Sequence, residues 1–284
     1  MRKLEFVGKT DSITVKSVLK NEFNMASSVL TALKNTGGIL VNGERVTVRK
    51  EMNRGDKLEI LIPDAPSNNI LPVKGDIEVL YEDEDILCVN KPSGMPTHPS
   101  QNHYSDTLAN YVCWYYRDIP FTFRVSNRLD SHTSGIVVIA KNMYSASFLC
   151  TENFRKSINK TYYALCRGIF ANKKGTVVAG IGRCEGSTIK REVSPQGKYA
   201  ETDYEVVKEI DGNSYVKLKL KTGRTHQIRV HMSYIGHPLL NDFLYDDFAD
   251  SDKNLFLHCG RISFIHPCKK KIINVETHYE IEKD

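Results

Sequence analysis

Apolar positions along this chain follow two rhythms, one helical and one alternating. Near the start, ITVKSVLKNEF puts Val15, Val18 and Leu19 on one helical face, and ASSVLTALKNTGG repeats the spacing with Val29, Leu30 and Leu33. Gly37-Gly38 can end that second helix. ILVNGERVTV then sets Asn42-Gly43 between two apolar runs, a strong hairpin signal, and GDKLEILIP alternates as a strand. Helix, helix, hairpin and strand make a small α/β unit over residues 1–62. PDAPSNNILPVKGD, residues 63–76, is rich in Pro, Asn, Ser and Gly and reads as a linker.

From residue 77 to 284 the pattern predicts a mixed domain of helices and strands. IEVLYEDEDILCVNK is two strands around an acidic turn, and GIVVIAK is a buried strand. SDTLANYVCWYYRD is a helix capped by Ser105 or Asp106, and NMYSASFLCTENFRKS is helical. KTYYALCRG alternates as a strand, with Tyr162 on the polar-facing parity of Lys160. AETDYEVVKEI and NSYVKLKLKTG form a hairpin. RTHQIRVHMSYIG is a helix with Ile228, Met232 and Ile235 on one face and Gly236 at its end. No internal repeat or low-complexity tract interrupts the series.

Composition narrows the class. At 284 residues and 40% hydrophobic, the chain can bury a sizeable core. Lys and Arg number 39 against 34 Asp and Glu, a balance that permits an anionic partner without demanding one. Through Asp64 the count is 11 against 8, and Lys34, Arg45, Arg49, Lys50 and Arg54 fall close together around the second helix and hairpin. They are either a solvated face or a phosphate-contacting surface. No run nears the ~18 apolar residues of a membrane span, and the N-terminus lacks a signal-peptide core. Seven cysteines without a CxxC pair read as reduced, mostly buried thiols in a cytoplasmic protein.

The chemistry concentrates in VSNRLDSHTSGI, residues 125–136, where Asp130 is surrounded by hydrogen-bonding groups just before an apolar strand. A metal site fits poorly, because HExxH is absent and the His-Cys spacings do not suit zinc. A serine hydrolase fits poorly too, for GxSxG occurs nowhere. Neither GxxxxGK[ST] nor GxGxxG is present. Taken alone, the segment is adequately explained as a turn. Two other segments change that balance: KTYYALCRG, which offers Tyr162, and GRTHQIRVH, which packs Arg224, His226, Gln227, Arg229 and His231 behind a glycine turn at a helix start.

Together these segments resemble the RluA-type family of pseudouridine synthases. The family's signature is approximately HRLDxxTSG, and NRLDSHTSG stands here; its later motif, GRTHQIRVH, is matched in full at Gly223–His231. IEVLYEDEDILCVNKPSGMPTHP, KTYYAL, GHPLLND and FLHCGRISFIHP follow the expected order over roughly residues 76–280. The first 62 residues resemble the small RNA-binding module typified by a ribosomal small-subunit protein, the alpha-L motif.

The resemblance implies an α+β catalytic domain with a mixed, largely antiparallel sheet. It implies an isomerase that turns RNA uridine into its C-glycoside isomer, without cofactor or metal. Asp130 would be the essential carboxylate, acting on the uracil ring, on the anomeric carbon or on a sugar proton. Arg229 would pair with Asp130, and Tyr162 would stack on the base and could assist removal of the carbon-5 proton. Arg128 would fill the space of the extruded uridine. Asn127, which stands where the family commonly has His, and Thr133, Arg224, His226 and Gln227 would meet RNA, as would Lys34, Arg45, Arg49, Lys50 and Arg54. Ribosomal RNA of the large subunit is the favoured partner and transfer RNA the second choice, with the protein a monomer. An inactive RNA-binding protein is the competing reading, though Asp130, Tyr162 and Arg229 are all present.

Overall fold

Thr14 accepts a hydrogen bond from the Ser17 amide and so starts α1 (Val15–Asn21), whose Val15, Val18 and Leu19 are buried. α2 (Ser27–Thr36) buries Val29, Leu30 and Leu33 and ends at Gly37 in the left-handed region. Both helices pack on a four-stranded antiparallel sheet made by β1 (Arg2–Val7), β3 (Ile39–Val41), β4 (Glu44–Arg45) and β6 (Lys57–Ile62), in the order β1-β6-β3-β4. β2 (Ile13–Thr14) pairs with β5 (Glu51–Met52). Asn42 and Gly43 both have positive φ at the β3–β4 turn, as the Asn-Gly pair predicts. β1 was not expected: in RKLEFV only Leu4 is fully buried, too little apolar signal to separate a strand from a tail.

The computed structural model describes residues 1–64, 69–151, 154, 157–250 and 253–278. Residues 65–68 of the expected linker lie outside them, as do 152, 153, 155 and 156 of the helix expected after Asn142. The rest of the linker is laid on the larger unit. Val73 N donates to Asn110 O, Asn110 Nδ2 donates to Leu71 O, and Gly75 lies so close to the Tyr111 ring that a Cβ there would stand 2.8 Å from it.

The larger unit is built from β7 (Glu78–Glu82), β8 (Ile86–Lys91), α3 (Leu108–Tyr115), β9 (Ser134–Ala140), α4 (Met143–Leu149), β10 (Asn159–Cys166), β11 (Lys174–Val178), β12 (Ile181–Arg183), β13 (Arg191–Val193), β14 (Glu201–Ile210), β15 (Asn213–Leu220), α5 (Gln227–Tyr234), β16 (Leu257–Ile265) and β17 (Ile272–Glu276). Its sheet runs β11-β14-β15-β10-β16-β9-β8-β7, with β17 added to β16. The fold is α+β, and the sheet is antiparallel except where β9 meets β16. β9 is buried at every residue, which its unbroken apolar run anticipates. α3 is capped by Thr107, not by Ser105 or Asp106. The Thr107 hydroxyl accepts from Asn110 N while Asn110 Oδ1 accepts from Thr107 N, a reciprocal cap that satisfies two amides at once. Asp106 faces His103 instead.

The two units are joined by side chains. Tyr144 on α4 is buried in the N-terminal core and donates to Phe23 O at 3.0 Å. Arg2 makes two hydrogen bonds of 3.0 Å to Asp85. All seven cysteines are free thiols, and four are buried. No helix among the described residues is long and apolar enough to cross a membrane.

β9 and β16 touch through only two pairs, Ser134 with His258 and Gly135 with Cys259. Gly135 has φ +110°, and a Cβ there would stand 2.4 Å from Cys259 O and 2.6 Å from Cys259 N. Only glycine fits, for both reasons. Gly135→Ala should therefore destabilise the protein by about 3 kcal/mol or more, measured by urea unfolding. A loss under about 1 kcal/mol would contradict this account of the crossing.

Candidate active site

The crossing of β9 and β16 explains where Asp130 sits. The chain reaches β9 through residues 127–133, and this segment is pinned from three directions. Asn127 Nδ2 donates to Ile136 O, and Val138 N donates back to Asn127 Oδ1 at 2.8 Å. Thr97 Oγ1 donates to Leu129 O, and Thr133 N donates to Asp130 O, closing the turn. Lys91, fully buried at the end of β8, gives its three donors to Pro92 O, Met95 O and Ser131 O at 2.7–2.9 Å. Burial pushes the Lys91 ammonium down to about 7, opposed by the Asp130 charge. Three carbonyls facing three N–H donors favour the protonated form, because a neutral amine would leave one carbonyl unmatched.

Held this way, the Asp130 side chain is 37% exposed, and its Oδ2 lies 3.9 Å from His226 Nε2. His226 has a left-handed backbone at the start of α5, which turns its ring back toward Asp130, and its Nδ1 lies 2.9 Å from the Tyr245 hydroxyl. Burial lowers the His226 pKa while Asp130 raises it, and burial wins. Tyr162 pairs across the sheet with Cys259, beside the crossing. Burial, then Cys259, and more weakly Asp130, hold its phenol well above the usual value, so it is a neutral donor. It is only 6% exposed, not polar-facing as expected; Thr161 beside it is buried at 8%, so both faces of β10 are covered here, while the extra residue of the irregular β10–β16 pairing is Gly260 on β16.

Arg229 corrects a second expectation. Its guanidinium pairs in a two-pronged way with Asp242, not with Asp130: Nε to Oδ2 is 2.7 Å and Nη2 to Oδ1 is 2.6 Å. The two side chains are 3% and 0% exposed. Asp242 is the nearer match because it is buried with Arg229, whereas Asp130 opens to solvent, and a buried charge is tolerable only when paired. Phe243 and Tyr245 cover the guanidinium with ring centroids at 5.3 and 5.1 Å. Arg229 and Asp130 still act on the same neighbours, since both charges bear on His132 and His226.

The remaining expected residues divide. Arg128 is exposed beside the turn, and Arg224 is exposed with its Nε on Tyr199 O. Asn127, Thr133 and Gln227 are buried at 6%, 3% and 2%, so they are not RNA-facing. Asn127 is used up by β9. Gln227 accepts from Thr222 Oγ1 and Arg224 N and donates to Glu201 O and Thr202 Oγ1, which uses its whole amide to lock the turn before α5. Lys34, Arg45, Arg49, Lys50 and Arg54 are all exposed, and none has a carboxylate partner in a salt bridge among the described residues. Residues not singled out in the sequence also shape the site: Lys91, Asp242 and Tyr245. Asp242 stood in view in GHPLLND, but nothing in that run distinguishes a buried counter-ion from a turn aspartate.

Elsewhere, Asp83, Asp85 and His266 bring three potential ligand atoms within 4.8 Å of one another. Lys269 Nζ already lies 2.6 Å from Asp83 and Arg2 holds Asp85, so cations of the protein neutralise both carboxylates.

Residues 85–234 match the family model described as RNA pseudouridylate synthase. The chain is 37% identical over 276 residues to an uncharacterized RNA pseudouridine synthase of Bacillus subtilis, YjbO, covering 96% of both chains. It is 30% identical to the ribosomal large subunit pseudouridine synthase D of Borreliella burgdorferi, covering 90% of this chain and 82% of that one. Among solved structures it resembles human RNA pseudouridylate synthase domain containing 1, with a TM-score of 0.60 and 28% identity over 72% of this chain and 84% of the other.

The reassigned ion pair makes a distinction that unfolding can measure. Asp242→Ala leaves Arg229 charged and buried without a partner, and should cost about 3–5 kcal/mol in urea unfolding. Asp130→Asn, at a solvent-open position, should cost less than about 1 kcal/mol. Equal losses would return Asp130 to the role of structural partner.

Proposed function

The chain belongs to the RNA pseudouridylate synthase family, and on that premise we propose that it modifies large-subunit ribosomal RNA with Asp130 as the reacting carboxylate. It is an isomerase that converts uridine in RNA to pseudouridine. The bond from N1 to the sugar breaks, the base turns, and carbon 5 bonds to the sugar. One proton leaves carbon 5 and N1 ends with one, so atoms and electrons balance without oxidation or reduction.

The observation that carries the assignment is the contrast between two aspartates. Asp242 is buried and spent on Arg229, while Asp130 opens to solvent a few ångströms from a neutral imidazole. A carboxylate free to meet substrate can act as nucleophile or base. Tyr162, neutral and buried beside the crossing, is suited to stack on the uracil ring. As a neutral phenol it has no proton vacancy, which leaves Asp130, or the neutral His226 imidazole beside it, to take the proton from carbon 5. Arg229 sits behind the site as half of a neutral pair, its guanidinium direction held by Asp242. Exposed Arg128 takes the place of the extruded uridine; flipping costs a few kcal/mol, which cationic contacts with the RNA backbone offset. Residues 1–62 form the RNA-binding module, with Lys34, Arg45, Arg49, Lys50 and Arg54 as its phosphate contacts.

The choice of ribosomal RNA draws on relatives such as the Borreliella burgdorferi protein, whose name states that substrate. Mapping pseudouridine across all RNAs in cells lacking this chain, and again after its return, tests the reading. At least one site in large-subunit ribosomal RNA should disappear and be restored by wild type but not by Asp130→Asn. Sites lost only from transfer RNA would overturn the substrate assignment.

A further inference from the structure

Phe243 is 53% exposed, yet its ring is not loose. Asp242 organises the turn that carries it, accepting from Leu244 N through Oδ1, while Tyr245 N and Asp246 N donate to Asp242 O. The ring rests against His132, with centroids 5.1 Å apart and planes tilted by 60°, and it covers the Arg229 guanidinium at 5.3 Å. His132 is two residues from Asp130 on the same pinned segment. One edge of Phe243 is therefore fixed by the active-site loop and by the buried ion pair, and the other side faces solvent at the rim of the site. Cations lie close by: the Arg229 guanidinium sits beneath both the Phe243 and Tyr245 rings, and Lys190 Nζ sits 5.7 Å from the Tyr245 ring. A rigid exposed aromatic among cations is the arrangement that holds an unstacked nucleobase, because every base offers a π-face while its phosphate seeks positive charge.

We propose that Phe243, braced by His132 and Arg229, is a stacking platform for an unpaired nucleobase flanking the uridine that enters the Asp130 site. The inference rests on the assignment of Asp130 as the reacting carboxylate, and it adds a requirement: the nucleotide beside the target must be single-stranded or extruded. Phe243 would bind the flanking base and leave the bond-making steps to Asp130.

Two measurements on the full chain test this. The first is tritium release from carbon-5-labelled ribosomal RNA of cells lacking the protein. Phe243→Ala and Phe243→Leu should raise KM ~10-fold with kcat within about threefold, and Phe243→Tyr should restore KM. Leucine keeps the packing on His132 but has no π-face, so a merely structural role would leave Phe243→Leu near wild type. The second uses the single tryptophan, Trp114, to advantage. In a Trp114→Phe background, the indole of Phe243→Trp should be quenched by a single-stranded oligoribonucleotide of mixed sequence and not by polyphosphate. Unaltered KM in Phe243→Leu, absence of quenching, or equal quenching by polyphosphate would each overturn the platform. Quenching by RNA in the Phe243→Trp protein, with wild type releasing no tritium, would sustain the platform and sink the Asp130 reading instead.

Discussion

The contact of β9 with β16 at Gly135 and Cys259 is the constraint on which the site depends. β16 is shared: Cys259 pairs with Gly135 on one side and with Tyr162 on the other. A side chain at position 135 would push these strands apart, and with them Asp130 and Tyr162. Two residue pairs thus set the geometry between a turn aspartate and a strand tyrosine that are 32 positions apart in sequence. Everything that pins residues 127–133, from Asn127 on β9 to Lys91 below Ser131, refines the aim that this crossing establishes.

Charge is arranged in depth around that geometry. The deepest layer is the neutral pair of Arg229 and Asp242, sealed by aromatic rings. Burying such a pair contributes little net stability, so its value lies in orientation: a guanidinium held by two hydrogen bonds cannot swing toward Asp130. Asp130 is left accessible in front of it, beside a histidine that burial keeps neutral. Had Arg229 paired with Asp130 instead, substrate would have to break a salt bridge before meeting the carboxylate.

Much of this was legible in the sequence because it rests on local periodicity or local turn chemistry. The two N-terminal helices, the Asn42-Gly43 turn, the buried β9 and α5 all follow from spacing. The grouping of Asp130, Tyr162 and Arg229 required resemblance to a family, since no spacing rule joins three distant segments. What could not be read was partnership. Asn127, Thr133 and Gln227 look like ligand-binding residues by type, yet burial turns them inward; backbone groups use up the Asn127 amide, and backbone groups with the Thr202 and Thr222 hydroxyls use up that of Gln227. Arg229 was assigned the wrong carboxylate because two aspartates were available and only three-dimensional burial tells them apart. β1 was missed because its six residues bury a single side chain fully.

The most direct test of the account is single-turnover tritium release from carbon-5-labelled RNA by wild type and Asp130→Asn, with Asp242→Asn as the companion. If Asp130 is the reacting carboxylate, Asp130→Asn should lower the rate by ~10⁴-fold or more while the protein remains folded. Asp242→Asn should retain measurable release wherever enough folded protein survives. A rate for Asp130→Asn within about tenfold of wild type would contradict the central claim and move the chemistry to another group.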